Sequence, residues 1–525
     1  MRTRVIHICI LSLVMLVVVA CGDFLEERSQ NMAYVEEVKD LDELLIGEGY
    51  LKGGYSLDSA DADKLANWAS FTKSSQYYPY IHLMDDDVTE YLSGNLTASA
   101  EKNYIRLYAA RLYGWQADPF LDSEMTEIKD ITWSGYYKRI AALNSIIFQV
   151  REMRESEEDQ ELCNRVEGEA CFLRAQYYFW LANLYGRPYC KTTAQTDLCI
   201  PLKTSEVVED RLFERDPMVK VYSQMVADLQ QAITSLRGIV QTTKYRANQT
   251  AAFALLSRVY LYMEEYEQAI VCADSVLKQN NHLLDLNNYR KGTSAVYVTS
   301  PETIFTHGPN TMAMLHAPVI KYGIYYNSSA YSSSSDLMDC FTPEDLRRKA
   351  FFIERAAPGE GFRCVKMRFK VEEVSDMMAI RLPEVYLNKA EAQALLGLDA
   401  EARATIQELR AKRFSPENLT SVTESGESLV NFIRDERRRE LCYEGHRWFD
   451  LRRYAVNTVY SFTKPIEHIS LAADAGVVYR QGKYILKPYP EDMAAYMLPI
   501  PAYAIDFNEG RLTNEIRPGR ELINE

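Results

Sequence analysis

Three carboxylates, Glu436, Glu440 and Glu444, recur every fourth residue in the run IRDERRRELCYEGHRWFDLRR (433–453), which places them on one face of a helix. Paired acids of this kind cut glycosidic bonds, at roughly 5–5.5 Å separation with retention and about 6.5–9.5 Å with inversion. The interleaved Arg437, Arg438 and Arg439 oppose that chemistry. They hold each carboxylate ionised, whereas a general acid must keep a proton near neutral pH. The run therefore reads as a structural ion-pair network, with His446 and Trp448 as packing and hydrogen-bonding residues, and no catalytic residue is assigned. The seven histidines (His7, His82, His282, His307, His316, His446 and His468) include no i, i+4 pair for zinc. HExxH, GxSxG, cysteine zinc pairs and a Walker loop are all missing from the sequence. Asp85-Asp86-Asp87 invites calcium, but Glu90 stands where an EF-hand loop needs its position-six glycine, so a solvated loop or helix cap is expected. No metal and no cofactor is expected. The cysteines form no C-x-x-C pair and several lie in apolar helical runs, as small buried hydrophobes do. Only Cys190 and Cys199, flanking a short loop, leave a disulfide open.

The scaffold that must hold these side chains is mostly helical. Apolar residues at 3.6 spacing predict helices over 133–153, 162–185 and 216–236, the last with Asp216 as N-cap and Pro217 as first helical residue. Two helical hairpins follow, 248–263 with 266–278 and 382–396 with 399–413. Aligning them superposes Ala269 on Ala402, Ala273 on Ile406 and Val276 on Leu409. A small residue in the first turn of the second helix, followed by large apolar ones, is the logic of a tetratricopeptide hairpin. The alternation of Val365, Met367, Phe369 and Val371 with Lys366, Arg368 and Lys370 predicts a half-buried strand. VVYRQGKYIL predicts a second β element in which Gln481-Gly482 turns a hairpin. The fold class expected is mainly α: a tetratricopeptide-like helical-repeat scaffold with an irregular, loop-rich region and a few short strands.

The chain has 525 residues and a formal net charge of −15, with 47% hydrophobic and 25% charged residues. That composition excludes wholesale disorder, and the acidic balance argues against nucleic acid, whose phosphates call for clustered Lys and Arg. Arg2 and Arg4 precede an apolar run over 8–19 that is short for a membrane span and reads as a signal peptide. Ala20-Cys21, followed at once by acidic sequence, resembles a bacterial lipobox. Lipidation is expected at Cys21, after removal of residues 1–20.

Seven segments in order resemble the SusD/RagB family of outer-membrane lipoproteins. They are CGDFLE from Cys21, GEACFLRAQYYFWLANLYGRP (168–188), VYSQMVADLQQAI (221–233), AAFALLSRVYLYM (251–263), RLPEVYLNKAEAQALLG (381–397), ERRRELCYEGHRWFDLRR (436–453) and LPIP (498–501) with Asn508 beyond it. The resemblance implies about four tetratricopeptide-like helix pairs and a non-catalytic receptor, lipid-anchored on the outer membrane and facing the cell exterior. It implies capture of a glycan, or in some branches a peptide, for a SusC-like TonB-dependent transporter that the receptor covers as a lid. It divides the chain into a signal peptide (1–20), a lipidated tether (21–45), an N-terminal region (46–240) and a C-terminal region (241–525) that form one body. These motifs belong to the scaffold and transfer no ligand contact. From chemistry alone, sugar rings suit Tyr and Trp platforms in polar loops. Trp68, Tyr77, Tyr78 and Tyr80 in NWASFTKSSQYYPY, with Tyr322, Tyr325, Tyr326 and Tyr331 in KYGIYYNSSAYSSSSD, are the candidate ligand-binding residues, whereas 177–180 are expected in the core. A surface glycosidase and an architectural repeat adaptor are the rival readings.

Overall fold

Helical periodicity becomes helix almost residue for residue. The computed structural model describes residues 35–51, 81–92, 104–121, 125–127, 130–308, 319–321, 324–326, 331–355, 361–367, 374–377, 379–474 and 477–524. Its helices are α1 (Val38–Leu44), α2 (Ile81–Met84), α3 (Tyr104–Tyr113), α4 (Thr132–Met153), α5 (Gln160–Tyr185), α6 (Met218–Ser235), α7 (Gln249–Tyr262) and α8 (Tyr266–Gln279). They continue as α9 (Ser335–Met338), α10 (Leu346–Phe351), α11 (Leu382–Leu395), α12 (Asp399–Arg410), α13 (Gly426–Leu441), α14 (Arg447–Ala455) and α15 (Ala502–Phe507). Both predicted hairpins are present, as α7 with α8 and α11 with α12. The long helices pack in sequence: α4 on α5, α5 on α6, α6 on α7, α7 on α8, α8 on α11, and α11 on both α12 and α13. Each pair can bury its apolar face only against the next, which is the stacking rule of helical repeats.

Helix α5 is the axis of this stack. Every residue from 166 to 185 is buried, including Tyr177, Tyr178, Phe179 and Trp180. A helix covered on all sides needs room for its neighbours. Gly168 supplies it, since a Cβ there would lie 2.6 Å from Leu236 Cγ just beyond α6. Asn248 caps α7 by accepting from the Ala251 amide. Asp216 does not cap α6, contrary to expectation: Pro217 is the cap residue, and the Asp216 carboxylate receives the Leu202 amide at 2.7 Å and Lys220 Nζ at 2.6 Å. Helix α1 also departs from the reading. Val38 and Leu41 in it, and Leu45 after it, are fully buried, so the expected tether over 21–45 is core from Val38 onward. Cys21 and the signal segment lie outside the described residues.

The strands are short: β1 (Val88–Glu90), β2 (Thr303–Phe305), β3 (Val319–Lys321), β4 (Ile324–Tyr326), β5 (Tyr331–Ser333), β6 (Phe352–Glu354), β7 (Phe362–Cys364), β8 (Ile380–Arg381), β9 (Ile466–Asp474), β10 (Val477–Leu486) and β11 (Ile523–Asn524). They form sheets ordered β1-β5-β7-β6, β11-β10-β9, β2-β8 and β3-β4, all antiparallel. Two β expectations are corrected. The strand at 362 ends at Cys364, and Lys366 is buried, pairing with Glu444 and donating to the Cys442 carbonyl at 3.3 Å, while Arg368, Phe369, Lys370 and Val371 lie outside the described residues. Gln481-Gly482 turns nothing. The register shifts there inside one continuous strand, a bulge, and the hairpin reverses between Asp474 and Val477. Gly482 is required because a Cβ would sit 2.3 Å from the Ile523 carbonyl of β11.

His468 on β9 ties this hairpin to the rest. Its ring stacks between Tyr113 and Trp115, at 4.2 and 4.1 Å, with its nitrogens 2.8 and 2.7 Å from the carbonyls of Tyr113 and Asp85. Cys190 and Cys199 are free thiols, so the open question of a disulfide is answered in the negative. Among the described residues no helix is long and apolar enough to cross a membrane.

Candidate functional site

Glu436, Glu440 and Glu444 lie at the centre of an ion-pair lattice. Helix α13 presents Glu436 to Arg347 at 2.9 Å, Arg410 at 2.5 Å and Arg439 at 3.0 Å. Glu440 meets Arg413 at 2.8 Å, with Arg381 and Arg347 each at 3.4 Å. Glu444, one turn further, meets Arg381 at 2.6 Å and Lys366. Burial alone would raise all three carboxyls; the surrounding cations outweigh it and hold them below the ordinary carboxylate range. The arrangement contains no proton donor of the kind glycoside hydrolysis requires. His446 is kept neutral by burial and by Arg258 and Arg437 beside it, and Trp448 stacks on Tyr496 at 5.1 Å. Both are packing residues.

Asp85, Asp86 and Asp87 are not a solvated loop. All three are buried between α2 and β1. Arg447 grips both oxygens of Asp86 at 2.7 and 2.8 Å, Lys464 pairs with it as well, and Arg438 Nε donates to Asp87 at 2.8 Å. Their carboxylate oxygens lie within 4.8 Å of one another, close enough for a cation. Three cationic side chains already stand there, so the turn is a clamp, and its charge balance disfavours calcium.

Trp68, Tyr77, Tyr78, Tyr80 and Tyr322 fall outside the described residues. Tyr325 and Tyr326 belong to β4, where they register with Ile320 and Val319 of β3. Tyr331 corrects the sequence reading: it begins β5, is fully buried, and packs its ring 5.3 Å from Tyr113, so it has no face to offer a ligand. Tyr326 precedes Tyr331 by five positions, so an extended chain keeps the two within about 18 Å of each other. Glu90 pairs with Tyr331 in the sheet, and the Arg355 guanidinium lies 3.7 Å over the Tyr91 ring while donating to the Tyr331 carbonyl at 2.8 Å. This Arg355–Tyr91 bracket escaped sequence reasoning because its members are distant in the chain and neither lies in a motif.

Two family models match the chain, one described as starch-binding associating with outer membrane over residues 69–261 and one described as SusD family over 370–518. A SusD-like protein of Formosa agariphila is 24% identical over 382 residues, spanning 62% of this chain and 72% of that protein. Among solved structures, a putative sugar binding protein of Bacteroides vulgatus superposes with a TM-score of 0.67 at 21% identity, over 92% of this chain and 99% of that one. A SusD superfamily protein of Bacteroides thetaiotaomicron superposes with a TM-score of 0.63 at 22% identity, over 87% and 100%. A SusD-like carbohydrate binding protein of Bacteroides vulgatus gives 0.63 at 20% identity, over 92% and 98%. At these identities the structures speak for the fold.

Proposed function

Because this chain belongs to the SusD/RagB family, we propose that it is a non-catalytic surface receptor that binds an oligosaccharide or polysaccharide and passes it to a SusC-like TonB-dependent transporter. The observation that carries this reading is the order of the two family matches along one polypeptide, the first described as starch-binding associating with outer membrane. The ionised state of Glu436, Glu440 and Glu444 supports binding over hydrolysis. The ligand face is assigned to Tyr325 and Tyr326 of β4 together with Trp68, Tyr77, Tyr78, Tyr80 and Tyr322. Tyr331 is left out as a core residue. Acylation at Cys21 supplies the outer-membrane anchor.

Two measurements test this. Purified protein titrated calorimetrically with neutral, acidic and host-type glycans and with peptides is expected to bind at least one glycan and to return it at its original length. Changing Tyr325 and Tyr326 together to Ala should weaken that binding roughly ten- to a hundredfold, the loss of about 1–3 kcal/mol of ring stacking. Unchanged affinity would remove these tyrosines from the site, and shortened products would make the protein an enzyme. A Cys21→Ala variant is expected in the soluble fraction; continued membrane association would refute the anchor.

A further inference from the structure

We propose that the groove between α6 and residues 202–211 is a second saccharide site, selective for sugars that carry a carboxylate or a sulfate. The inference rests on the receptor reading and adds a ligand class to it. The groove encloses about 450 Å³, within the usual range of small-molecule sites of about 300–1,000 Å³. Lys220, Ser223 and Gln224, at i, i+3 and i+4, form one wall from a single face of α6. The opposite wall is the extended segment from Lys203 to Ser205, with Arg211 beyond it.

That wall is built on buried supports. Asn144, itself buried, donates from Nδ2 to the Lys203 and Ser205 carbonyls at 3.0 and 3.2 Å, and the Lys203 amide donates to the Tyr178 hydroxyl at 3.1 Å. Lys203 and Arg211 both pair with one carboxylate, Glu209, the lysine at 3.0 Å. Two cations on one anion leave a positive charge uncompensated, while Lys220 is matched by Asp216 at 2.6 Å. The guanidinium of Arg211 lies 4.3 Å from the Phe213 ring and uses Nε for Glu209, which leaves its Nη fork for a ligand. A fork of this geometry fits a carboxylate or sulfate in bidentate fashion. The surrounding hydroxyls and amide of Thr204, Ser205, Ser223 and Gln224 match a polyhydroxylated body. On a chain of net charge −15 the groove lining is locally positive, with Lys203, Arg211 and Lys220 against Glu209, which suits an anionic polar ligand.

The test uses the full chain carrying Cys21→Ala, titrated with a uronic-acid tetrasaccharide, a neutral tetrasaccharide of the same linkage, and sodium sulfate. The acidic tetrasaccharide is expected to bind, to weaken as salt is raised, and to lose at least tenfold in affinity when Arg211→Gln and Lys220→Gln are combined. Both side chains are more than half exposed, so an unchanged melting temperature should accompany that loss. Acidic binding unaffected by the double variant would overturn the site, as would sulfate alone binding as tightly as the tetrasaccharide, which would mark a general anion site. Binding of the neutral tetrasaccharide without the acidic one would overturn the site and leave the receptor reading standing; no binding of any glycan in the full panel would overturn that reading itself.

Discussion

Replacing Glu440 with Ala is expected to destabilise the protein by about 3–5 kcal/mol, because it removes one member of a buried charge network and strands the others. The Glu440 carboxylate receives Arg413 through two bonds, at 2.8 and 3.0 Å, and lies 3.4 Å from both Arg381 and Arg347. None of these side chains is more than 2% exposed, so water cannot take over. The arginines keep other partners: Arg413 has Glu302 at 2.8 Å, Arg381 has Glu444, and Arg347 has Asp345 at 2.7 Å. That residual pairing allows the variant to fold while still exacting a large cost. Glu440→Gln keeps the shape and loses the charge, and should fall between. Chemical denaturation reads the difference as a shift in midpoint, and a loss below about 1 kcal/mol for the Ala variant would show that the network is not a stabilising unit.

The second large effect is steep acid sensitivity. Burial acts to raise the carboxyls of Glu391, Glu436, Glu440, Glu444 and Asp86, and arginine neighbours override it, so each titrates below its ordinary value in the folded protein. A carboxylate whose folded pKa is depressed contributes stability that is complete above its unfolded value of about 4 and is lost as pH falls through the folded one. Five such groups titrating together should bring stability down sharply below about pH 4. Asp85, Asp87, Asp130 and Glu169 have the opposite sign. Burial raises all four, Asp130 to about 6, so their ionisation as pH climbs above about 4 works against the fold. Thermal unfolding followed from pH 7 to 3 should therefore hold or rise slightly down to about pH 4, as the raised carboxyls protonate, and then collapse. A flat profile down to pH 3 would contradict the assigned charge states.

Much of the scaffold was readable because helix periodicity is a local signal. Ala269 and Ala402, the small residues aligned between the two hairpins, are both fully buried, as close helix packing demands. The misreadings share one physical cause. Lys366 alternates with apolar neighbours as a solvent-facing strand residue would, but its partner Glu444 lies far along the chain. Asp85–Asp87 looked solvated for the same reason, since the arginines that neutralise them come from α13 and α14. Tyr331 sits in a serine-rich run whose composition signals an exposed loop, yet its ring packs on Tyr113 from α3. Of the candidate site, the sequence marked the aromatic loops, and it carried no sign of the Arg355–Tyr91 bracket or of the groove along α6.

The aspartate clamp also constrains the order in which the molecule can be completed. Arg438 and Arg447 reach back 351 and 361 residues to Asp87 and Asp86, and His468 reaches 383 residues to the Asp85 carbonyl. Contacts of such sequence separation close late, because the loop entropy is lost before any contact rewards it. A chain emerging from its N-terminus presents three crowded acids long before their counterions exist, so this corner stays open until nearly the whole polypeptide is available. The region matched by the later family model thus supplies the charges that close a turn near the start of the region matched by the earlier one.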